Sequence, residues 1–66
     1  MKVQAHYTLT GLLGPLSATI EVNAGYSDAD LKAGVMAQVV ECGIKIDGKV
    51  PKIKEIFFVK EIDDAH

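Results

Sequence analysis

His6 and Glu21 have the residue types that general acid–base chemistry uses. An imidazole titrates near neutral pH, and a neighbouring carboxylate can orient the ring and stabilise its charged form. Both residues are expected on an open, solvated sheet face, and no nucleophile is apparent beside them. The pattern therefore favours a surface cross-strand pair, which contributes on the order of a few tenths of a kcal/mol, and we expect no enzyme activity.

The other candidate metal ligands are His66 and Cys42. Structural zinc sites use four clustered Cys or His ligands at short spacings, whereas these residues are scattered along the chain. Cys42 falls on the apolar stripe of a predicted helix, where a buried and unreactive thiol is expected. Neither of the glycine-rich phosphate-binding motifs is present. We therefore expect neither a metal nor a cofactor.

A group of lysines in the last third of the chain has the chemistry of a nucleic-acid contact. Together with Phe57 on an outer sheet face, it resembles in outline an aromatic platform with basic surroundings. The chain has no arginine, its net charge is -2 and acidic residues alternate with the lysines, so solvated surface lysines are the simpler interpretation. Nucleic-acid binding is kept as the alternative function, through Lys45, Lys49, Lys52, Lys54 and Lys60.

The length of 66 residues predicts a single domain, and one cysteine excludes an intrachain disulfide. A chain this short buries only about 60% of its unfolded surface. With no disulfide or metal to add stability, association with another copy is the usual remaining source of burial. The start of the chain alternates between polar and apolar residues, and no apolar run is long enough to span a bilayer. We expect a cytoplasmic protein without a membrane segment.

One helix is predicted, over residues 27–42, and the rest of the chain is expected to form a sheet around it. Ser27 is a favourable N-cap, and Asp30 occupies the acidic position of a capping box. Gly43 can leave the helix in the left-handed conformation. Start and stop signals therefore agree on the boundaries of this element.

The predicted helix is apolar on two sides. At 100° per residue, one sector forms an ordinary core stripe of Leu31, Val35, Val39 and Cys42. A single sheet covers one side of a helix, so a second apolar sector must meet something else or remain in water. Alanines on a solvated face are also simply good helix formers. The alternative is a helix interface with another copy or a partner, formed by Ala33, Met36, Ala37 and Val40.

Two alternating runs separated by a Gly/Pro-rich loop predict a β-hairpin over residues 2–24. Alternation fixes the parity of the register: the numbers of paired residues must sum to an odd value, because a slip by one residue exchanges the two faces. A sum of 27 gives a four-residue loop over 12–15 and places His6 opposite Glu21. A sum of 25 gives a six-residue loop. We prefer the first, since short loops are commoner.

The last strand is predicted over residues 53–62, with Ile56, Phe58 and Ile62 on the helix side. Phe57 and Val59 then lie on the outer face, where they form a second candidate interface. The residues between the helix and this strand, 44–51, contain an Asp-Gly turn signal. We therefore expect an α+β fold, a hairpin–helix–strand domain with a mixed sheet of three or four strands and one helix on one face. The first and last strands should be neighbours.

These features favour a small non-enzymatic protein–protein interaction module. We expect a homo-oligomer, most simply a dimer. It acts either as an accessory protein or as an inhibitor, and the sequence favours neither role. The expected contact surfaces are the apolar helix sector and the outer sheet face. A site for nucleic acid on the C-terminal lysines is the alternative, and an enzyme with a site formed between subunits is a third, weaker possibility.

Overall fold

Three strands and one helix follow one another along the chain, and the computed structural model describes residues 1–62. Residues 63–66 lie outside the described part, and with them the candidate ligand His66. The elements are β1 (Lys2–Leu9), β2 (Leu16–Glu21), α1 (Asp28–Glu41) and β3 (Ile53–Ile62). The α+β class, with one helix packed on a sheet, is confirmed.

The strand order is β2-β1-β3, so the first and last strands are neighbours, as predicted. Both ladders are antiparallel, and the expectation of a mixed sheet was wrong. β2 and β3 run in the same direction, but β1 lies between them. A parallel ladder would need the helical crossover to place β3 directly beside β2, and the order of the strands does not do this.

The hairpin obeys the predicted parity but not the predicted register. His6 pairs with Ser17, so the paired numbers sum to 23 (6 + 17) rather than 27. The expectation that His6 faces Glu21 was therefore wrong. Pairing extends to the first residue of the chain, where the N–H of Val22 donates to the carbonyl of Met1 at 2.8 Å.

A wider connection between β1 and β2 explains this register. Gly11 and Gly14 both have positive φ angles, 89° and 92°, which glycine adopts without strain. The N–H of Thr10 donates to the carbonyl of Lys52 at 2.9 Å. The end of β1 is thus held by β3 rather than by β2, and the loop contains more residues than the predicted four.

β3 departs from simple alternation because its ladder with β1 contains two register shifts. Tyr7 pairs with Ile56 and His6 with Phe58. Phe57 is therefore an extra residue, which forms a β-bulge in β3. A second shift lies nearer the start of the strand.

The bulge reverses the predicted facing of three side chains. Val59 pairs with the buried Ala5 and packs against the core, so its predicted place on the outer face was wrong. Phe58 lies on the outer face with His6, and Ile62 pairs with the outward Lys2, although both were predicted to face the helix. The prediction assumed an unbroken two-residue period, and one inserted residue moves every later side chain to the opposite face.

The helix α1 begins and ends where its capping residues predict. The hydroxyl oxygen of Ser27 accepts from the N–H of Asp30 at 3.2 Å, and the Asp30 carboxylate accepts from the N–H of Ser27 at 3.1 Å. At the other end, Gly43 has a φ of 72° and the N–H of Ile44 donates to the carbonyl of Val39 at 3.3 Å. These are a complete capping box and a Schellman turn, which satisfy backbone groups that the helix leaves unpaired.

The core lies between α1 and the inner face of the sheet. The helix buries Leu31, Val35 and Val39, as predicted, against the inward side chains of β1 and β2. Cys42 is exposed, so its predicted place in the core stripe was wrong. Cys42 is the C-cap of α1 and keeps helical backbone angles, φ -74° and ψ -8°. The last helical residue that the core buries is Val39, and Ile44 packs against the core after the chain has turned.

The segment between α1 and β3 contains the predicted Asp-Gly turn. Asp47 and Gly48 have φ angles of 54° and 77°, the pair of positive values typical of a type I′ turn. Ile46 and Lys49 form one isolated bridge across it, so the described residues contain no fourth strand. Within residues 1–62, no helix is long and apolar enough to cross a membrane.

Candidate protein-interaction surfaces

Three rings meet on the outer side of the sheet and form a surface that we call the aromatic face: His6, Phe57 and Phe58. The ring centroid of His6 lies 5.4 Å from that of Phe58 and 6.2 Å from that of Phe57, with tilted planes. These distances are typical of aromatic contacts. Even so, Phe57 is 49% exposed and Phe58 52% exposed.

Local geometry brings the three rings together. Ala5 and Tyr7 point inward and are buried, so His6 between them must point outward. The bulge then sets two consecutive phenylalanines against this one histidine, where an unbroken strand would have supplied one. The aromatic face is therefore a product of the bulge.

The alternation pattern predicted Phe57 on the outer face but not Phe58. A three-residue spacing of apolar residues in β3, which a regular strand does not have, is the signal that could have revealed the bulges. The structure places these residues among those that pack against the core: Ile53, Ile56 and Val59.

The surroundings of the aromatic face are polar. Ser17 of β2 pairs with His6. On the same face of β1, Gln4 precedes His6 and Thr8 follows it. Two charged residues of β3 pair with them, Lys60 with Gln4 and Glu55 with Thr8. An apolar centre with a polar rim is the usual anatomy of a protein-binding patch.

The five lysines of the nucleic-acid hypothesis do not form one surface with the rings. Lys60 shares the outer sheet face through its pairing with Gln4. Lys54 instead lines a groove between α1 and β3. The other three precede β3: Lys45 and Lys49 lie in the segment with the Asp-Gly turn, and Lys52 lies between that segment and β3.

The apolar helix sector remains largely open. Ala33, Ala37 and Val40 are exposed, Val40 by 57%, and Met36 is half-buried. No described element lies over this side of α1, because the sheet covers the opposite side. Its role as an interface stays a prediction.

The residues considered for catalysis and metal binding are held apart. The Glu21 carboxylate lies 2.8 Å from the terminal ammonium of Met1, while the aromatic contacts of His6 are with the two phenylalanines. Among residues 1–62, no group of three or more His, Cys, Asp or Glu side chains is placed to hold a metal ion. The predicted pairing of His6 with Glu21 does not form.

The helix lies closer to β2 than to β3. A Cβ atom on Gly34 would lie 2.8 Å from Cδ1 of Ile20 in β2. On the other side, a groove of about 310 Å³ separates α1 from β3. Its floor is apolar and its rim charged, and its lining comprises Asp28, Leu31, Lys32, Lys54, Glu55, Ile56 and Val59.

The fold alters the ionisation of Tyr7. Burial, and to a smaller extent the charge of the Cys42 thiolate, raise the pKa of its hydroxyl above the ordinary value. Desolvation disfavours the phenolate, and a neighbouring negative charge adds to that penalty. Tyr7 therefore stays protonated at neutral pH, and its side chain packs in the hydrophobic core.

Comparison with other proteins leaves these surfaces as the basis for assigning a function. The sequence matches no protein-family model, and it shows no significant similarity to a curated protein or to a solved structure. No activity or partner can therefore be transferred from a relative.

Proposed function

We propose that this chain is a small non-enzymatic protein–protein interaction module that self-associates and acts as an accessory protein or inhibitor of a larger protein. The observation that carries the proposal is the aromatic face, where Phe57 and Phe58 leave about half of their surface in water. Full burial of a phenyl side chain contributes on the order of 2 kcal/mol. A partner that covers both rings therefore gains substantial binding free energy.

The aromatic face fits a folded protein partner with a shallow apolar pocket. Aromatic residues dominate binding energy at such interfaces because they are large and have few rotatable bonds. Contact with His6 restricts the two rings further, which lowers the entropy lost on binding. The neutral side chains beside them, Gln4 and Ser17, are cheaper to desolvate than charged ones.

Other features agree with a non-catalytic role in a reducing compartment. His6 packs against rings rather than beside a carboxylate or nucleophile. Cys42 is an exposed free thiol, and such thiols persist where glutathione keeps them reduced. We therefore assign the module to the cytoplasm as part of the proposal.

The test compares three tagged baits in extract of the native cell: the wild-type chain, a Phe57→Ser/Phe58→Ser double variant and Leu13→Ser. Leu13 is the control, since it is a 99% exposed apolar residue of the β1–β2 loop and belongs to neither candidate surface. Partners captured by the wild type are then purified and their Kd values measured by calorimetry. We expect the double variant to weaken binding at least tenfold and Leu13→Ser to leave it unchanged. Partners that bind the double variant as tightly as the wild type would refute the proposed surface.

Nucleic acid is the second candidate, because the two phenyl rings share an open sheet face with Lys60. Single-stranded nucleic acid stacks on such rings and binds nearby cations. Labelled single-stranded and duplex oligonucleotides at low salt test this directly. We expect no binding; binding that weakens with salt and disappears in the double phenylalanine variant would replace the protein partner with nucleic acid.

A further inference from the structure

β2 lies at the edge of the sheet, and the hydrogen bonds at its end reveal which of its backbone groups face outward. The terminal ammonium of Met1 donates to the carbonyl of Val22 at 2.7 Å, and the N–H of Val22 donates to the carbonyl of Met1 at 2.8 Å. These two residues are thus a hydrogen-bonded pair. Such pairs alternate along an antiparallel ladder with pairs that lack mutual hydrogen bonds.

The alternation assigns every backbone group of β2. The even-numbered residues direct their N–H and C=O groups to β1. The odd-numbered residues direct theirs away from the sheet, and their side chains lie on the outer face. The free edge therefore presents the donors and acceptors of Ser17, Thr19 and Glu21, which is the chemistry that an additional extended strand satisfies.

The two edges of the sheet differ in their protection against such pairing. β3 has two register shifts, and its sequence includes charged residues such as Lys54 and Lys60. Bulges and lysines are the devices by which proteins prevent edge-to-edge contact. β2 has no lysine or proline and pairs with β1 without a register shift. The β2 edge is therefore the one that can accept a strand.

β2 is also complementary to itself. In an antiparallel pair of two β2 strands with paired numbers summing to 38, Thr19 faces Thr19 of the second copy, and Ser17 faces Glu21 of that copy. All outward groups are then used, in three pairs of two hydrogen bonds each. Ala18 and Ile20 stay on the helix side in both copies, because an even sum keeps like faces together.

The position of α1 allows this pairing. α1 lies nearer to β2 than to β3, as its approach to Ile20 and the groove on the β3 side show. In the pair, the two helices therefore lie on the same side of the sheet, one on each side of the seam between the two β2 strands. At 100° per residue, the flank of α1 above β2 has Gly34 at its centre, next to the polar Gln38 and the charged Asp30 and Glu41.

We propose that two copies of this chain dimerise through their β2 edges, so that a six-stranded antiparallel sheet forms with both helices on one side. This inference rests on the self-association in the proposed function and names its seam. A six-residue strand pair alone buries less than the roughly 800 Å² per partner of a standard interface, so the dimer belongs to the weak, reversible class of complexes. The phenylalanines of the two aromatic faces lie on the shared open side, about 24 Å apart across five strand spacings. The dimer is therefore bivalent for a partner.

The first test is the mass by light scattering at micromolar concentration for the wild type and Thr19→Pro. Proline removes only the outward N–H at this position, so the ladder with β1 is kept and an edge strand tolerates the change. We expect a dimer for the wild type and a Kd at least tenfold higher for the variant, with an unchanged circular dichroism spectrum.

The second test reads the register. In a Cys42→Ser background, Thr19→Cys places two thiols across the two-fold axis, with Cα atoms about 5.5 Å apart, within the range of a disulfide. We expect a covalent dimer on mild oxidation. Ser17→Cys is the matched control: it is exposed on the same face of the same strand, but its two copies would be roughly 13 Å apart, so it should stay monomeric on a non-reducing gel.

The outcomes separate the seam from the rest of the proposed function. A wild-type dimer whose Kd is unaffected by Thr19→Pro and that forms no disulfide at position 19 would overturn the β2 seam while leaving self-association intact. A wild-type monomer at all concentrations would overturn both. Loss of partner binding in the double phenylalanine variant, with an unchanged dimer mass, would assign partner binding to the aromatic face independently of the seam.

Discussion

A methyl group on Gly34 would lie 2.8 Å from Cδ1 of Ile20, closer than real Cβ contacts allow. The helix therefore approaches β2 at a point where a Cβ atom fits only if Cδ1 of Ile20 moves. Gly34 is not at a left-handed position and terminates nothing, so its conformational freedom is not what the fold uses. Its value is the space that it leaves for Ile20, one of the buried residues of the core.

Gly34→Ala should therefore fail to give the gain that this substitution normally brings to a helix. Alanine is favoured over glycine by about 1 kcal/mol in helix interiors, whereas moving Cδ1 of Ile20 away from its rotamer costs on the order of 0.5–1.5 kcal/mol. We expect the unfolding free energy in urea to stay within about 0.5 kcal/mol of the wild type instead of rising by about 1 kcal/mol.

The partner variant Ile20→Val removes Cδ1 and makes room for the new methyl group. In that background, Gly34→Ala should become stabilising, so the double-mutant cycle should show a coupling of about 1 kcal/mol. Additive effects of the two substitutions would show that the helix does not lie this close to β2.

The capping box of α1 gives a second prediction. Ser27→Ala removes the oxygen that accepts from the N–H of Asp30, and loss of such a cap costs about 1 kcal/mol. Ser27→Asp retains an acceptor and should restore most of the stability. Thermal denaturation followed by circular dichroism measures both variants. The exposed Ser17→Ala serves as a control and should change the unfolding free energy by less than about 0.5 kcal/mol.

Tyr7 predicts a loss of stability at alkaline pH. Its pKa is raised in the folded state, so between its unfolded value, near 10, and its folded value, the folded protein binds more protons than the unfolded one. Stability is fully present below about pH 10 and falls as the pH rises through the folded pKa. Tyr7→Phe should flatten this part of the pH profile of unfolding.

The local signals of the sequence predicted those parts of the fold that depend on neighbouring residues. Ser27, Asp30 and Gly43 specify the ends of α1 because caps act over a few residues. Alternation in β1 specified its buried face. The predicted parity of the hairpin register was right, but the predicted sum of the paired residue numbers was wrong. The register depends on how the Gly11–Gly14 loop folds and on the hydrogen bond between Thr10, at the end of β1, and Lys52, just before β3.

The aromatic face could be predicted only in part for the same reason. Phe57 was assigned to the outer face, but Phe58 and Val59 were exchanged by a bulge that exists only in the ladder with β1. A bulge is a property of two strands together, and the one-dimensional pattern of β3 does not state where the extra residue lies. Cys42 was placed in the core because it falls on the same side of the helical wheel as Val39, but a wheel does not show that Ile44 makes the core contact at the end of the helix.

The bulge itself leads to the last prediction. Deleting one of the two adjacent phenylalanines removes the extra residue, so that Ile56 still pairs with Tyr7, and the remaining phenylalanine with His6. Every inward side chain of β3 keeps its face, and we expect a folded protein with a melting temperature within several degrees of the wild type. Circular dichroism during heating measures this.

Deletion of Val59 is the matched control, since it also shortens β3 by one residue. It brings either Lys60 or, if the bulge closes, the larger Phe58 opposite Ala5, on the buried face. Burial of an unpaired ammonium group is costly, and overpacking by the ring costs about 1–3 kcal/mol. This variant should therefore lose at least about 1 kcal/mol more stability than the phenylalanine deletion. Equal destabilisation by the two deletions would mean that Phe57 is not the extra residue of the ladder. If only the deletion of Val59 destabilises the chain, the half-exposed pair of rings is a feature that the fold tolerates without requiring, as expected of a surface that exists for binding.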